Sequence, residues 1–278
     1  MKRTLAVLAA MLLALSMPGA GMLSTSMAET EGGGISLEVN PRYFAEPEAA
    51  VIAFAASLAR GDIDGVLNTM ADFAIAQKYD MSALVKARQL FGVHYETAYP
   101  SGTHVSYLEE NALVFRAKNA TSLFDLLVSL AMERPNTPGK LIRLEKDGSL
   151  VLPNDETISM ADFTARLRPQ AFSGLKLKQL YRQGGEQYNR ITENEGLKAA
   201  GAAKGYLDRR EYVAIYEYKD KLFLHTYTVG QFPNGWQILE LMSTTNKTSS
   251  IEGAAPILPE DTLSYFFDPD YTLVYTGL

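Results

Sequence analysis

Five residues of this chain carry side chains suited to acid–base or ligand chemistry and recur at strand spacing: Tyr216, Tyr218, His225, Tyr227 and Glu240. Side chains along a strand alternate between two faces, so residues of one parity share a surface. With Asp220-Lys221 as a two-residue turn, Tyr218 stands opposite Phe223, Tyr216 opposite His225, Ala214 opposite Tyr227 and Tyr212 opposite Val229. A second turn at Asn234-Gly235 sets Val229 opposite Glu240 and brings Ile238 onto the same surface. That face carries tyrosine hydroxyls, one imidazole and one carboxylate among aromatic rings, which is the lining a partly apolar ligand or a stacked carbohydrate needs. The other face, with Val213, Ile215, Leu222, Leu224, Leu239 and Leu241, is aliphatic and is expected to pack against helices. A tyrosine stripe also serves as core or as a dimer surface, because aromatic residues favour strands.

His225 is the strongest single candidate for proton transfer, since imidazole titrates near neutrality. In this register Glu240 lies four residues along from it, about 13 Å at strand rise and too far for a catalytic pair. A histidine bonded to a tyrosine accounts for it better, and no catalytic residue is assigned. His94 and His104 are ten residues apart, a spacing without a metal-site pattern, and read as surface residues. Asp62-x-Asp64-Gly65 lacks the later glycine and glutamate of a calcium loop, so Asp62 is expected to cap a helix. Asp268-Pro269-Asp270 is explained by turn chemistry. The chain holds no G-x-S-x-G, Walker or G-x-G-x-x-G motif. No metal and no cofactor is assigned.

The elements that must hold these residues follow from periodicity. Glu46-Pro47-Glu48 opens a helix with apolar Ala50, Val51, Phe54 and Leu58, closed by Gly61. Asp62 caps a second helix with Ile63, Val66, Leu67 and Met70, continuing toward Ala74. Further helices are predicted over 82–91 and 121–132, the latter apolar nearly all round. After Pro135 and Pro138 the pattern turns strand-like: Asp147-Gly148 marks a hairpin, Ser159 caps a short helix, and 172–182 reads as a strand with Leu175, Leu177 and Tyr181 on one side. Residues 184–205 read as a long connection with a short helix near Leu197 to Ala203. A three-stranded meander covers 212–219, 222–232 and 236–242, and the aromatic tail from Gly253 is expected to dock as a hairpin.

Residues 1–28 read as a cleaved secretory signal: Met1-Lys2-Arg3, an apolar run from Thr4 to Ala20, then Ser26-Met27-Ala28 before Glu29. Pro18, Gly19 and Gly21 interrupt the run before the roughly 20 residues a spanning helix needs, so the mature chain is expected to be exported, periplasmic or extracellular, and not membrane-spanning. Residues 29–45 form a leader expected to be mobile, and 46–278 a single α+β domain. The chain has no cysteine, which excludes disulfides, thiolate metal sites and a catalytic thiol. Its formal charge is −6, and loss of Lys2 and Arg3 with the signal takes it to −8. Nucleic acid is therefore not an expected partner.

The stretch Glu46-Pro47-Glu48-Ala49-Ala50-Val51-Ile52-Ala53-Phe54, followed by Ala59-Arg60-Gly61-Asp62-Ile63-Asp64-Gly65-Val66-Leu67, resembles the opening helices of the NTF2-like superfamily of cystatin-like α+β cones, in an exported bacterial member. The ending Asn234-Gly235-Trp236-Gln237-Ile238 is similar to the last hairpin of such a domain. The resemblance implies a curved antiparallel sheet packed on N-terminal helices around an interior pocket. It also implies a helical insertion near 75–138 and a C-terminal extension, because a usual domain of the family is about half this length. The superfamily hosts isomerases, cyclases, dehydratases and non-catalytic binding modules, so membership leaves function open. The leading expectation is a non-catalytic binding or interaction module. Its partner would be a small ligand, a glycan or an envelope protein, held by the face bearing Tyr216, Tyr218, His225, Tyr227 and Glu240. The alternatives are an isomerase, cyclase or lyase with His225 or Glu240 as base, and a homodimeric structural envelope protein.

Overall fold

The computed structural model describes residues 28–29, 35–36, 40–89, 108–132, 143–152, 155–242, 255–257 and 268–277. The apolar run of the predicted signal, His94, His104 and the aromatic cluster Tyr265-Phe266-Phe267 lie outside the described residues. The chain divides into two units, Met1–Glu38 and Val39–Leu278. In the first, β1 (Ala28–Glu29) pairs antiparallel with β2 (Ile35–Ser36).

The second unit is α+β, with an antiparallel sheet packed on helices. Helix α1 (Pro47–Ala59) begins as predicted, with proline in its first turn and Glu48 beside the positive end of the helix dipole. It buries Ala50, Val51, Phe54 and Leu58. Asp62 caps α2 (Ile63–Leu67), its Oδ1 accepting the Gly65 N–H at 2.8 Å. The predicted continuation toward Ala74 does not form. Residues 69–71 instead run beside the edge of the sheet, where Ile238 N–H donates to the Thr69 carbonyl at 3.0 Å and Ala71 N–H donates to the Ile238 carbonyl at 2.8 Å. Helix α3 (Asp72–Lys78) starts only after that contact, so tertiary pairing overrides an otherwise helical pattern. Helices α4 (Met81–Gln89) and α5 (Leu108–Ala131) follow. From the stretch expected to be an insertion, α5 contributes Leu123, Leu126, Leu127 and Leu130 to the same core as α1.

A small sheet of β3 (Arg143–Leu144), β4 (Leu150–Val151) and β5 (Thr157–Ile158) precedes α6 (Met160–Arg166), which Ser159 caps as predicted, and a 3-10 turn over Pro169–Gly174. Among the described residues the main sheet holds six strands: β6 (Lys176–Gln183), β7 (Asp208–Tyr218), β8 (Lys221–Phe232), β9 (Gly235–Glu240), β10 (Ala255–Ile257) and β11 (Tyr271–Thr276). Its order is β10-β8-β7-β6-β11, with β9 also pairing β8. One sequence expectation changes here. The connection 184–205 is two helices, α7 (Gly185–Thr192) and α8 (Glu195–Ala203). Of the tail, β10 pairs with β8 and β11 with β6 at the other end of the strand order, and the stretch at 258–267 that would complete the expected hairpin lies outside the described residues.

The strand registers also differ from strict hairpin alternation. The β7–β8 turn is Lys219-Asp220, both with positive φ, 49° and 58°, the backbone of a type I′ turn. Tyr218 therefore pairs with Lys221, Tyr216 with Phe223, Ala214 with His225 and Tyr212 with Tyr227. A displacement of two residues preserves every face. Bulges do not. One between Leu177 and Gln179 sends Tyr181 to the face opposite Leu175, and one between Thr228 and Val229 pairs Val229 with Ile238 but Thr228 with Glu240.

Candidate functional site

The tyrosine face is core. Tyr212, Tyr216, Tyr218, Phe223, Tyr227 and Val229 cluster with Val51, Phe54 and Leu58 of α1. The aliphatic expectation for the helix-facing side holds only in part: Leu239 packs on Ala74 and Ile75 of α3 and Leu241 joins the core shared with α1, while Val213, Ile215 and Leu224 form a separate cluster with Tyr181 and Tyr271. Phe54 meets Tyr227 edge to face at 5.3 Å, and the hydroxyls of Tyr216 and Tyr227 are 2.6 Å apart with both residues buried. Burial holds both hydroxyls above the ordinary tyrosine range. His225 is 1% exposed, its ring against the edge of Tyr227 at 4.7 Å. Tyr218 donates its hydroxyl to the Ala171 carbonyl at 3.0 Å. Four of the five candidate residues, Tyr216, Tyr218, His225 and Tyr227, are thereby inside the protein, and the three tyrosine hydroxyls find their partners locally.

Glu240 is elsewhere. The bulge in β9 places Leu239 and Glu240 on the face of Thr228, so Glu240 and His225 lie on opposite sides of the sheet. Across this other face Glu211, Thr228 and Glu240 form one row over β7, β8 and β9. Glu240 there lines a recess of about 60 Å³ between α3, α5, the α8–β7 turn and the β8–β9 hairpin. Its polar lining includes Lys118, Asn119, Lys204, Tyr206 and Arg209, and Ile75, Phe115 and Leu239 supply apolar walls.

Local sequence builds each wall. Helix α8 is capped at its start by Asn194, whose side chain accepts from the Gly196 and Leu197 N–H groups. It ends in a Schellman motif: Gly205, at φ 85°, donates to the Ala202 carbonyl at 3.0 Å and Tyr206 N–H to the Gly201 carbonyl at 3.2 Å. The left-handed glycine turns the chain so that Lys204 and Tyr206 flank the recess, and the Tyr206 ring lies over Gly201, where a Cβ would stand 2.5 Å from it. Leu207 N–H then donates to the Gln231 carbonyl at 2.7 Å, locking the turn to β8. Tyr188 of α7 donates its hydroxyl to the Arg209 carbonyl at 2.8 Å. On the opposite wall Leu239 crosses Gly230, where a Cβ would come within 2.7 Å of its side chain.

The recess is electrostatically mixed. Arg209 forms an ion pair with Glu211, which is fully buried. Lys118, largely exposed, stands 3.5 Å from Glu240. Burial pushes the Tyr206 hydroxyl above its ordinary value while Arg209 pulls it back, so at neutral pH it is an uncharged donor and acceptor. Among the described residues no group of three or more His, Asp or Glu is arranged to hold a metal ion. On β6, Lys176 and Lys178 pair with Glu217 at 3.3 and 3.6 Å, and Arg182 with Glu48 at 4.0 Å.

No protein-family model and no curated protein matches the chain. Among solved structures it is similar to a cystatin-like protein from Ruminococcus gnavus, with a TM-score of 0.45 and 15% identity over 85% of this chain and 47% of that one. This chain thus spans about half the length of that protein. At that score the likeness adds nothing to what the strand order and the core already establish.

Of the recess lining, the sequence candidates include Glu240 but not Lys118, Lys204, Tyr206 or Arg209. One signal was present: Ala-Ala-Lys-Gly-Tyr at 202–206 is a helix ending in glycine, followed by an aromatic residue. The pairing of that turn with Leu239 depends on a bulge that alternation does not reveal.

Proposed function

We propose that this protein is an exported, non-catalytic interaction module that engages its partner at the recess beside Tyr206 rather than at the tyrosine face. The observation that carries this reading is the recess itself. At about 60 Å³ it is well below the roughly 300–1,000 Å³ of pockets that enclose whole small molecules, so it suits one projecting group of a larger partner. Residues next to the lining support the same view. Val114, beside Phe115, is 65% exposed and Leu207, beside Tyr206, is 73% exposed, and apolar side chains in such positions are available for contact with a partner. The separation of His225 from Glu240 by the sheet weighs against the isomerase, cyclase or lyase alternative in its paired form. The export reading rests on residues 1–28.

The test is crosslinking from the rim. A photoreactive amino acid at Val114 or Leu207 is expected to capture a partner from the exported fraction, whereas one at Phe124, on α5 away from the recess, is not. Equal capture from all three positions, or none, would count against the reading. Mass spectrometry of the exported protein is expected to find a chain beginning at Glu29, and an intact Met1 terminus would remove the export assignment.

A further inference from the structure

We infer that the recess receives the primary carboxamide of a glutamine or asparagine side chain from a protein partner. This deepens the interaction-module reading and rests on it. Asn119 carries the argument. It stands in the middle of α5, is only 6% exposed, and lines the recess. Among the described residues neither its carbonyl oxygen nor its NH2 group has a hydrogen-bond partner. Asparagine is a poor helix former, and an unpaired carboxamide withdrawn from bulk water weighs against folding, so neither the helix nor the core accounts for this residue. Leucine, of nearly the same size, would serve both better. Phe115 lies one turn earlier on the same side of α5 and joins Ile75 and Leu239 as an apolar wall. From the α8–β7 turn Tyr206 adds a hydroxyl that is likewise without a hydrogen bond among the described residues.

These unmet groups select the ligand. Asn119 offers two donors and an acceptor, and the Tyr206 hydroxyl a donor and an acceptor. A carboxylate only accepts and would leave the Asn119 carbonyl unfilled, while an ammonium only donates and would leave its NH2 group unfilled. A primary carboxamide does both. Its oxygen accepts from the Asn119 NH2 group while its own NH2 donates back to the Asn119 carbonyl, which closes a planar ring of two hydrogen bonds. The second hydrogen of that NH2 is then left for an acceptor such as the Tyr206 hydroxyl. The trans amide of a peptide backbone or an N-acetyl sugar points its N–H and C=O in opposite directions and cannot close that ring. About 60 Å³ admits a carboxamide and its methylene stem, which Ile75, Phe115 and Leu239 accept.

The inference is tested by amide NMR titration of the full exported chain with capped leucine-flanked pentapeptides that differ only in a central glutamine, glutamate or methionine, and with N-acetylglucosamine. The glutamine peptide is expected to shift the amides of residues 118–119, 204–206 and 239–240 and to bind at least tenfold more tightly than the other two peptides. Asn119→Leu is expected to remove that preference while melting no lower than the native protein, and a lower Tm would give Asn119 a structural role and overturn the inference. Equal binding of the methionine peptide at these amides would overturn the carboxamide and leave the interaction-module reading standing. Tighter binding of the glutamate peptide would overturn it in favour of an anion, and tighter binding of N-acetylglucosamine in favour of a glycan. If no probe shifts these amides the inference fails, and the interaction-module reading is then decided separately by crosslinking from Val114 and Leu207.

Discussion

Tyr216 and Tyr227 show how a residue type that reads as a binding surface becomes core. Each hydroxyl finds its partner in the other at 2.6 Å, so two polar groups are buried at the cost of one shared hydrogen bond. Tyr227→Phe would leave the Tyr216 hydroxyl buried without that partner and is expected to destabilise by about 1–3 kcal/mol, whereas the double change to phenylalanine should be closer to neutral. A double-mutant cycle in urea measures the difference. Arg116 and Asp72 are a second buried pair, 3.2 Å apart, tying α5 to α3. Burial raises the Asp72 carboxyl above its usual range and Arg116 opposes that. Arg116→Ala removes the opposition and is expected to cost about 3–5 kcal/mol at neutral pH. In that variant the folded-state pKa of Asp72 rises further, so protonation favours the folded state first, and the deficit should shrink as pH falls into the carboxylate range. Denaturant midpoints at neutral and mildly acid pH decide the point, and a constant deficit would mean that only packing was lost.

Two turns and one bulge set the recess at the scale of elements. Gly205 ends α8 with φ 85°, and a Cβ there would fall 2.3 Å from Lys78 Cβ. Gly205→Ala is expected to cost about 1–2 kcal/mol or more, since both the left-handed backbone and the contact with α3 oppose it. Hydrogen exchange should show the loss first in α8 and the turn to β7. Gly230→Ala presses on Leu239, the residue the bulge turns toward the recess, and is expected to cost about 1–3 kcal/mol as an overpacked site. Its amide shifts should reach Glu240, and a silent Glu240 would mean the Leu239 wall does not transmit the change. The helix at 47–59, the Asp62 and Ser159 caps and the meander are legible in sequence because each is enforced locally, by proline and acid at a helix start, by a capping side chain, or by strand alternation. Residues 68–71 were not, because their helical pattern competes with backbone pairing to Ile238, a partner far along the chain.

At the scale of the molecule, buried tyrosines make alkaline pH its characteristic weakness. Burial raises the hydroxyls of Tyr181, Tyr188, Tyr206, Tyr212, Tyr216 and Tyr227 above their ordinary value. Their contribution to stability is full below the unfolded tyrosine pKa of about 10 and is lost as pH rises beyond it, because the unfolded chain ionises first. Thermal melts followed by circular dichroism should show a steep fall in Tm above about pH 10, and a flat profile there would contradict the burial of these rings. The described residues contain no helix long and apolar enough to cross a membrane.

By itself the sequence determined the α+β class, the order of the meander, the lack of any disulfide and the identity of the aromatic face. Those properties depend on local periodicity and on composition, which need no knowledge of distant neighbours. Only the tertiary structure decided which face meets α1, because tyrosines and aliphatic residues both bury well and the choice turns on what packs against them. It also decided where Glu240 points. A single extra residue in β9 reverses the parity on which every sequence assignment beyond it rests, and so moves Glu240 from the core face to the recess on the other side of the sheet.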